Sequence, residues 1–337
     1  MISDYLKKNI LVTGRGATAI YLVFKNERLE NIDVLVPGNI CYAAVYPIIF
    51  SGNNPIFCDV DSKSGNLSLS IIKENITNNT KAILIPHMYG NTVDDLDEIK
   101  RECERRDIIL IEDCASSFGG FSNKYGMVGK IGDYVIHSFG YSKIIDLGNG
   151  GILTSNKDLD IAKSYLNELP YFAEDIYNKD KEVSRLYRKV RNKIESYERI
   201  KEIDFRELLL YKLDDHVLLD KLSDEVICKA LEIHKNNYNL YDNLIDISFK
   251  RYQYNDGSIP WRFSLILNDK EKNSIINRLL NSNLPVSDWY PNVTQFFLSD
   301  KKPLKNVDDM EKAIINLPLD IERSLIEKIC YTINEVR

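Results

Sequence analysis

Over its first 250 residues the chain alternates short β-branched runs with amphipathic stretches, and that alternation leaves few folds open. The runs DVLVP (33–37), PIFCDV (55–60), KAILIP (81–86), DIILIED (107–113), YVIHSF (134–139) and GGILTS (150–155) are almost continuously apolar. Such runs suit strands buried on both faces by helices. Between them the spacing predicts helices over 17–28, 41–51, 68–77, 94–106 and 157–168. In the fourth, Asp94 is placed to cap the start, Leu96, Ile99 and Cys103 share one face, and Arg105 and Arg106 sit at the negative end. Strands alternating with helices imply a three-layer α/β sandwich around a mostly parallel sheet.

Residues 170–215 break the rhythm. The charged stretch KDKEVSRLYRKVRNKIESYERIKEID carries apolar residues at Val183, Leu186, Val190, Ile194 and Ile200. That pattern predicts a solvated amphipathic helix, or else a basic lip over an active site. A long helix is expected from about 217 to 246. A smaller α+β region then follows: a strand at WRFSLIL (261–267), a helix over 270–282, a strand at LPVSDWY (284–290) and a last helix over 320–336.

Charge and thiols narrow the function. Fifty acidic residues against 44 basic give a net charge of −6, which disfavours nucleic acid as a partner. No stretch reaches the roughly 20 apolar residues of a membrane helix. The opening MISDYLKKNILVTGRG has no cleavable apolar leader, and the six cysteines form no CxxC pair. A reduced, cytoplasmic protein with no metal site is the expectation.

The chemistry concentrates between 107 and 156. DIILIED ends a buried strand on Glu112 and Asp113, where α/β sheets bind ligands. Some 25 residues on, HSFGYSK turns out of a strand and presents Lys143, followed by DLGNGG. A pyridoxal 5′-phosphate (PLP) enzyme needs a lysine to hold the cofactor as a Schiff base, and a carboxylate to keep its pyridine nitrogen protonated. Lys143 and Asp113 meet both needs, although on their own such a pair also suits surface charges.

The surrounding motifs resemble, in order, those of the DegT/DnrJ/EryC1/StrS family of PLP-dependent sugar aminotransferases. They are GATA (16–19), VPGNICYAAVYPIIFSGNNPIFCDVD (36–61), IPHMYGN (85–91), IEDCASSFG (111–119), GKIGDYVIHSFGYSKIIDLGNGG (129–151) and AIINLPLD (313–320). The resemblance implies a fold-type I (aspartate aminotransferase-like) architecture. An N-terminal arm (1–12) would precede a large α/β/α PLP-binding domain (13–215) and a smaller α+β C-terminal domain with its connecting helix (216–337). It also implies a homodimer with the site at the subunit interface.

Carried over by position, Lys143 would anchor the cofactor and shuttle the substrate proton, and Asp113 would bind the pyridinium nitrogen. Ser138, Thr18 and the amides of Ala17 and Ala19 would bind the phosphate. Ser116 stands where the family has a Gln near the cofactor hydroxyl. Cys41 stands where many relatives place an aromatic ring over the cofactor, with Tyr42 beside it, so either could cover the ring. The family's Asn-x-Arg-Met segment has no clean counterpart between 170 and 225. Relatives with histidine in place of the lysine run a dehydration, which Lys143 argues against.

Arg15, His87, Tyr89, Arg262 and Tyr290 are further candidates for substrate contact. Arg262 suits a donor carboxylate, or equally a structural ion pair. Trp289 belongs to the pocket or the core, and His137 alternates with Ser138 and points away from the cofactor. The implied function is transfer of an amino group from glutamate to a nucleotide-linked keto sugar, in amino-sugar or surface-glycan synthesis. The alternatives are a PLP enzyme with a non-sugar keto substrate or another reaction such as decarboxylation, and a non-catalytic relative that binds a nucleotide sugar.

Overall fold

The computed structural model describes residues 6–173, 203–299 and 302–336, with Asp4, Ile176, Asn178, Lys179 and Val183 beside them. The helix and basic lip read into the charged segment fall almost wholly outside the described residues. Its centre is a seven-stranded sheet in the order β1-β9-β8-β5-β4-β2-β3. The strands are β1 (Asn9–Thr13), β2 (Asp33–Pro37), β3 (Asn54–Cys58), β4 (Thr80–Pro86), β5 (Ile109–Asp113), β8 (Tyr134–Ser138) and β9 (Gly151–Ser155), with a short hairpin, β6 (Phe121–Ser122) and β7 (Gly126–Met127), set apart. Neighbours from β8 to β3 run parallel, and β9 runs antiparallel to both β8 and β1.

Period-two alternation along these strands feeds two separate cores. Val34, Val36, Ala82, Leu84 and Ile111 face one side, and pack with α1 (Gly16–Asn26), α2 (Tyr42–Phe50) and, further along, α5 (Asp160–Glu168). Leu35, Ile83, Ile85 and Leu110 face the other side, against α3 (Leu69–Asn75) and α4 (Leu96–Arg106). Both faces are thus dry, which is why the strand sequences read as unbroken apolar runs. The short α6 (Phe205–Leu209) closes over α2 from the first side.

A second, three-stranded antiparallel sheet, β10 (Lys250–Arg251), β11 (Phe263–Ile266) and β12 (Ile314–Leu317), carries the C-terminal residues. Phe263, Leu265, Ile315 and Leu317 pack there with Tyr241, Ile275, Leu279, Ile326 and Ile329 of the surrounding helices.

Several expectations need correction. Residues 9–12, read as part of an arm, form most of an edge strand paired with β9. The predicted helix 217–246 is two helices, α7 (Asp215–Leu219) and α8 (Asp224–Leu244), because Ser223 is extended and caps α8 by accepting from the Val226 amide (3.3 Å). LPVSDWY makes no ladder, only a bridge from Ser287 to Asn316. The neighbouring strand is instead β12, within AIINLPLD. The start of α4 is Asp95, and its carboxylate accepts from the Leu69 amide (2.7 Å), so Asp94 is not the cap.

Candidate active site

The strand ends of β5 and β8 open into a cavity of about 370 Å³. Its floor is set by close backbone packing. Arg15 is extended and bridges Gly150, and α1 begins at Gly16 directly above β9. A Cβ on Gly151 would lie 2.4 Å from the Arg15 carbonyl carbon and 2.6 Å from the Gly16 nitrogen, so glycine is required there. Ser138, at the end of β8, lies beside Gly16: a Cβ there would fall 3.1 Å from the Ser138 Cβ. Gly16, Ala17 and Ser138 line the cavity together, at the helix end whose first N–H groups have no intrahelical partner.

Asp113 ends β5 and is buried, with Oδ1 accepting the Ala115 amide at 2.9 Å. Burial pushes its carboxyl above the usual carboxylate range, and the ammonium of Lys143 opposes that shift. Lys143 is half-buried in the loop after β8 and lines the same cavity. Among the described residues its amine has no hydrogen bond and no ion pair. Cys41 and Tyr42 face the cavity from the start of α2. Burial raises the Cys41 thiol, opposed by Lys143. The Tyr42 ring packs against Phe205 (5.7 Å) and Trp289 (6.3 Å). Arg15 lines the cavity, with Nη1 donating to the Leu208 carbonyl (2.8 Å). Tyr290 stacks on Trp261 (5.6 Å), and burial raises its phenol while a bond to Ser116 lowers it. Ser116 thus reaches the cavity wall through Tyr290.

Other expected residues are engaged elsewhere. Thr18 is buried, and its hydroxyl donates to Leu209 O (2.8 Å) and accepts from Tyr211 N (3.3 Å), tying α1 to the segment after α6. The Ala19 amide already bonds Arg15 O (3.3 Å). Neither residue lines the cavity. His87 is buried between Glu112 (Nε2, 3.2 Å) and the Val93 amide (Nδ1, 3.1 Å), so both ring nitrogens are used. Tyr89 is fully buried behind Tyr290 and Tyr252, in the left-handed region at φ 60°. The His137 ring turns to Phe118. Sequence reasoning passed over Ser142, Asp320 and Asn316, which also line the cavity and carry no motif signal beyond their neighbours.

This donor set suits PLP: a free amine, a buried carboxylate, and a hydroxyl at a helix N-terminus where only glycine packs. The fold places the chain in a class. An aminotransferase of Helicobacter pylori involved in the biosynthesis of pseudoaminic acid superposes with a TM-score of 0.77, at 17% identity, over 99% of this chain and 88% of that one. The Escherichia coli GDP-4-keto-6-deoxy-D-mannose-3-dehydratase, solved with bound hydrated PLP, superposes at 0.68 and 19% identity, over 100% and 91%. The fold is therefore that of the fold-type I PLP enzymes.

Within that class the chain belongs to the DegT/DnrJ/EryC1/StrS aminotransferase family, whose profile matches residues 2–173. GDP-perosamine synthase of E. coli O157:H7 is 39% identical over 128 residues, 38% of this chain and 34% of that protein. The synthase of Vibrio cholerae is 32% identical over 163 residues, 48% and 44%. The chain spans less than half the length of these curated relatives.

Proposed function

We propose that this protein is a PLP-dependent aminotransferase that moves an amino group from glutamate to a nucleotide-linked keto sugar. The observation that carries the proposal is the amine of Lys143, without a hydrogen-bond or ion-pair partner among the described residues, sharing a cavity with buried Asp113 beside the start of α1. Two of the matched curated relatives are, by name, synthases of GDP-perosamine, a GDP-linked amino sugar. The expected organisation is a cytoplasmic homodimer, with the large α/β unit running to about 215 and the C-terminal unit from 216. Among the described residues no helix is long and apolar enough to cross a membrane.

When bound, PLP supplies an aldehyde that takes up amino groups and a ring that accepts electrons. Ser138 and the first amides of α1 hold its phosphate. Asp113 holds the ring nitrogen protonated, and the positive charge brought beside it favours the carboxylate that burial disfavours. Lys143 Nζ would anchor the cofactor and, once released, would carry the proton from the substrate carbon to the cofactor carbon that had borne the aldehyde. Cys41, Tyr42 and Trp289 cover the site and exclude water. The test is a visible spectrum of the purified protein before and after borohydride, with peptide mass mapping. A yellow protein that bleaches, and carries reduced pyridoxyl phosphate on Lys143, supports the assignment, and glutamate added to a separate unreduced sample should also remove the colour. A colourless protein that PLP cannot reconstitute overturns it and favours a nucleotide-sugar-binding role.

Asp113→Asn separates stability from function. The raised Asp113 carboxyl contributes stability below the ordinary carboxylate pKa, and that contribution is lost as pH rises through its folded value. The apo variant at neutral pH should therefore melt no lower than wild type, while amino transfer falls by roughly 10²-fold or more because an amide cannot hold the ring nitrogen protonated. Thermal melts and turnover of matched samples decide it; a variant that keeps its rate removes Asp113 from the site.

A further inference from the structure

Ser142, immediately before Lys143, sits at φ 69° in the left-handed region that side chains other than glycine seldom occupy. Groups from two directions hold it there. Its amide donates to Asp146 Oδ2 (2.7 Å), within its own loop. Its carbonyl accepts from Trp261 Nε1 (2.6 Å) and from Arg262 Nη2 (3.4 Å), and Arg262 Nη2 also donates to the Ser142 hydroxyl. Arg262 is itself fixed: it is buried, Nη1 donates to Asp320 Oδ1 (2.6 Å), and its guanidinium lies 4.9 Å from the Trp261 ring. Both terminal nitrogens are thus in use. A donor carboxylate approaching Arg262 would have to share or displace Asp320 and Ser142, the partners that already fix the guanidinium.

We infer that Arg262 is a positioning residue for Lys143, acting from the C-terminal sheet through Ser142, and not the receptor for the donor's carboxylate. The inference rests on Lys143 being the cofactor-bearing amine. Geometry gives the reason. Trp261 and Arg262 immediately precede β11, at the junction between the two sheets, and they reach across to the one residue whose backbone aims Lys143. A shift of about 1 Å in a reacting group costs on the order of 10²-fold in rate, so a loop held in an unfavourable backbone conformation needs outside support. Asp320 completes the device by holding the guanidinium in place through Nη1.

The test uses the PLP-loaded protein and its half-reaction with glutamate. Wild type, Ser142→Ala, Arg262→Met, Arg262→Lys and the double variant Ser142→Ala/Arg262→Met are compared by three readouts: borohydride fixation on Lys143, the pH at which the visible cofactor band titrates, and the single-turnover rate against the apparent Kd for glutamate. Expected for Ser142→Ala and Arg262→Met is a shift of the band titration in the same direction. The single-turnover rate should fall between about 10- and 100-fold, with the glutamate Kd changing far less than the rate. The double variant should be little worse than either single one, because both break one contact, and Arg262→Lys should recover part of the loss. Arg262→Met that weakens glutamate binding with an unchanged rate and titration, beside a silent Ser142→Ala, overturns the inference and makes Arg262 the carboxylate receptor. Should Arg262→Met not fold, Ser142→Ala carries the test alone. Absence of fixation on wild-type Lys143 sinks the proposed function and the inference with it; fixation with an unshifted titration in Ser142→Ala sinks the inference alone.

Discussion

Lys143→Ala is expected to remove borohydride-fixed cofactor altogether and to lower amino transfer by on the order of 10³-fold or more, with the fold intact. The size follows from two roles held by one atom. In the proposed reaction Nζ is the anchor and also the base that moves the substrate proton, a task worth about 10²–10⁴-fold by itself. The stability effect should be small, because Lys143 is half-buried and forms no ion pair or hydrogen bond among the described residues. Lys143→Arg makes the sharper control: it keeps the positive charge near Asp113 and Cys41 while losing an amine that can be deprotonated at neutral pH. If charge in the cavity were all that mattered, Lys143→Arg would retain activity, and the assignment would fail. If both variants are inactive, melt like wild type and still take up PLP reversibly, the anchor and the base are the same group. Turnover, melting temperature and mass mapping of the three proteins measure all of this.

Legibility in the sequence tracked how many independent demands fell on each residue. The parallel strands were plain, because burial on both faces leaves few alternatives to Val, Ile and Leu at successive positions. That Asp113 and Lys143 would line one cavity was legible for a different reason: a carboxylate at a strand end and a lysine after the neighbouring parallel strand open at the same sheet edge. Thr18 misled, since a hydroxyl at a helix start serves a phosphate or a neighbouring backbone equally well, and here Leu209 and Tyr211, some 190 residues away, claim it. His87 misled in the same way, since only the fold brings Glu112 to it. The edge strand 9–13 has one exposed apolar position and one antiparallel partner, and its apolar run, Ile10 to Val12, is only three residues long. Ser142 could not be read at all. Its role depends on a left-handed backbone and on Trp261 and Arg262, about 120 residues on.

Glu112, next to Asp113, should answer substitution in the opposite sense. Its side chain is fully buried, and four donors converge on it. Oε1 accepts from the Gly129 amide (2.6 Å) and His87 Nε2 (3.2 Å), and Oε2 accepts from the amides of Ile131 (3.0 Å) and Gly132 (2.9 Å). The Val93 amide occupies His87 Nδ1, which leaves the histidine proton on Nε2, facing the carboxylate. Burial alone would raise Glu112; His87 and the backbone amides outweigh it and hold the carboxyl below its usual range. Cys114 completes a group of three potential metal-ligating atoms within 4.8 Å, but the carboxylate oxygens are already engaged by these donors. Glu112→Gln turns one acceptor into an NH₂ group pointed at N–H donors. Its cost should be about 3–5 kcal/mol, as for a broken buried charge network, with a fall in Tm on the order of 10 °C. The lowered carboxyl contributes stability above its ordinary pKa and loses it as pH falls through the folded value. The gap in Tm between wild type and Glu112→Gln should therefore be widest at neutral pH and close below about pH 4. Melts of the apo proteins across that range test the sign. A gap that is absent at pH 7, or that widens in acid, would remove Glu112 as the fixed point that sets the 129–132 loop and, through it, the strand carrying Ser138.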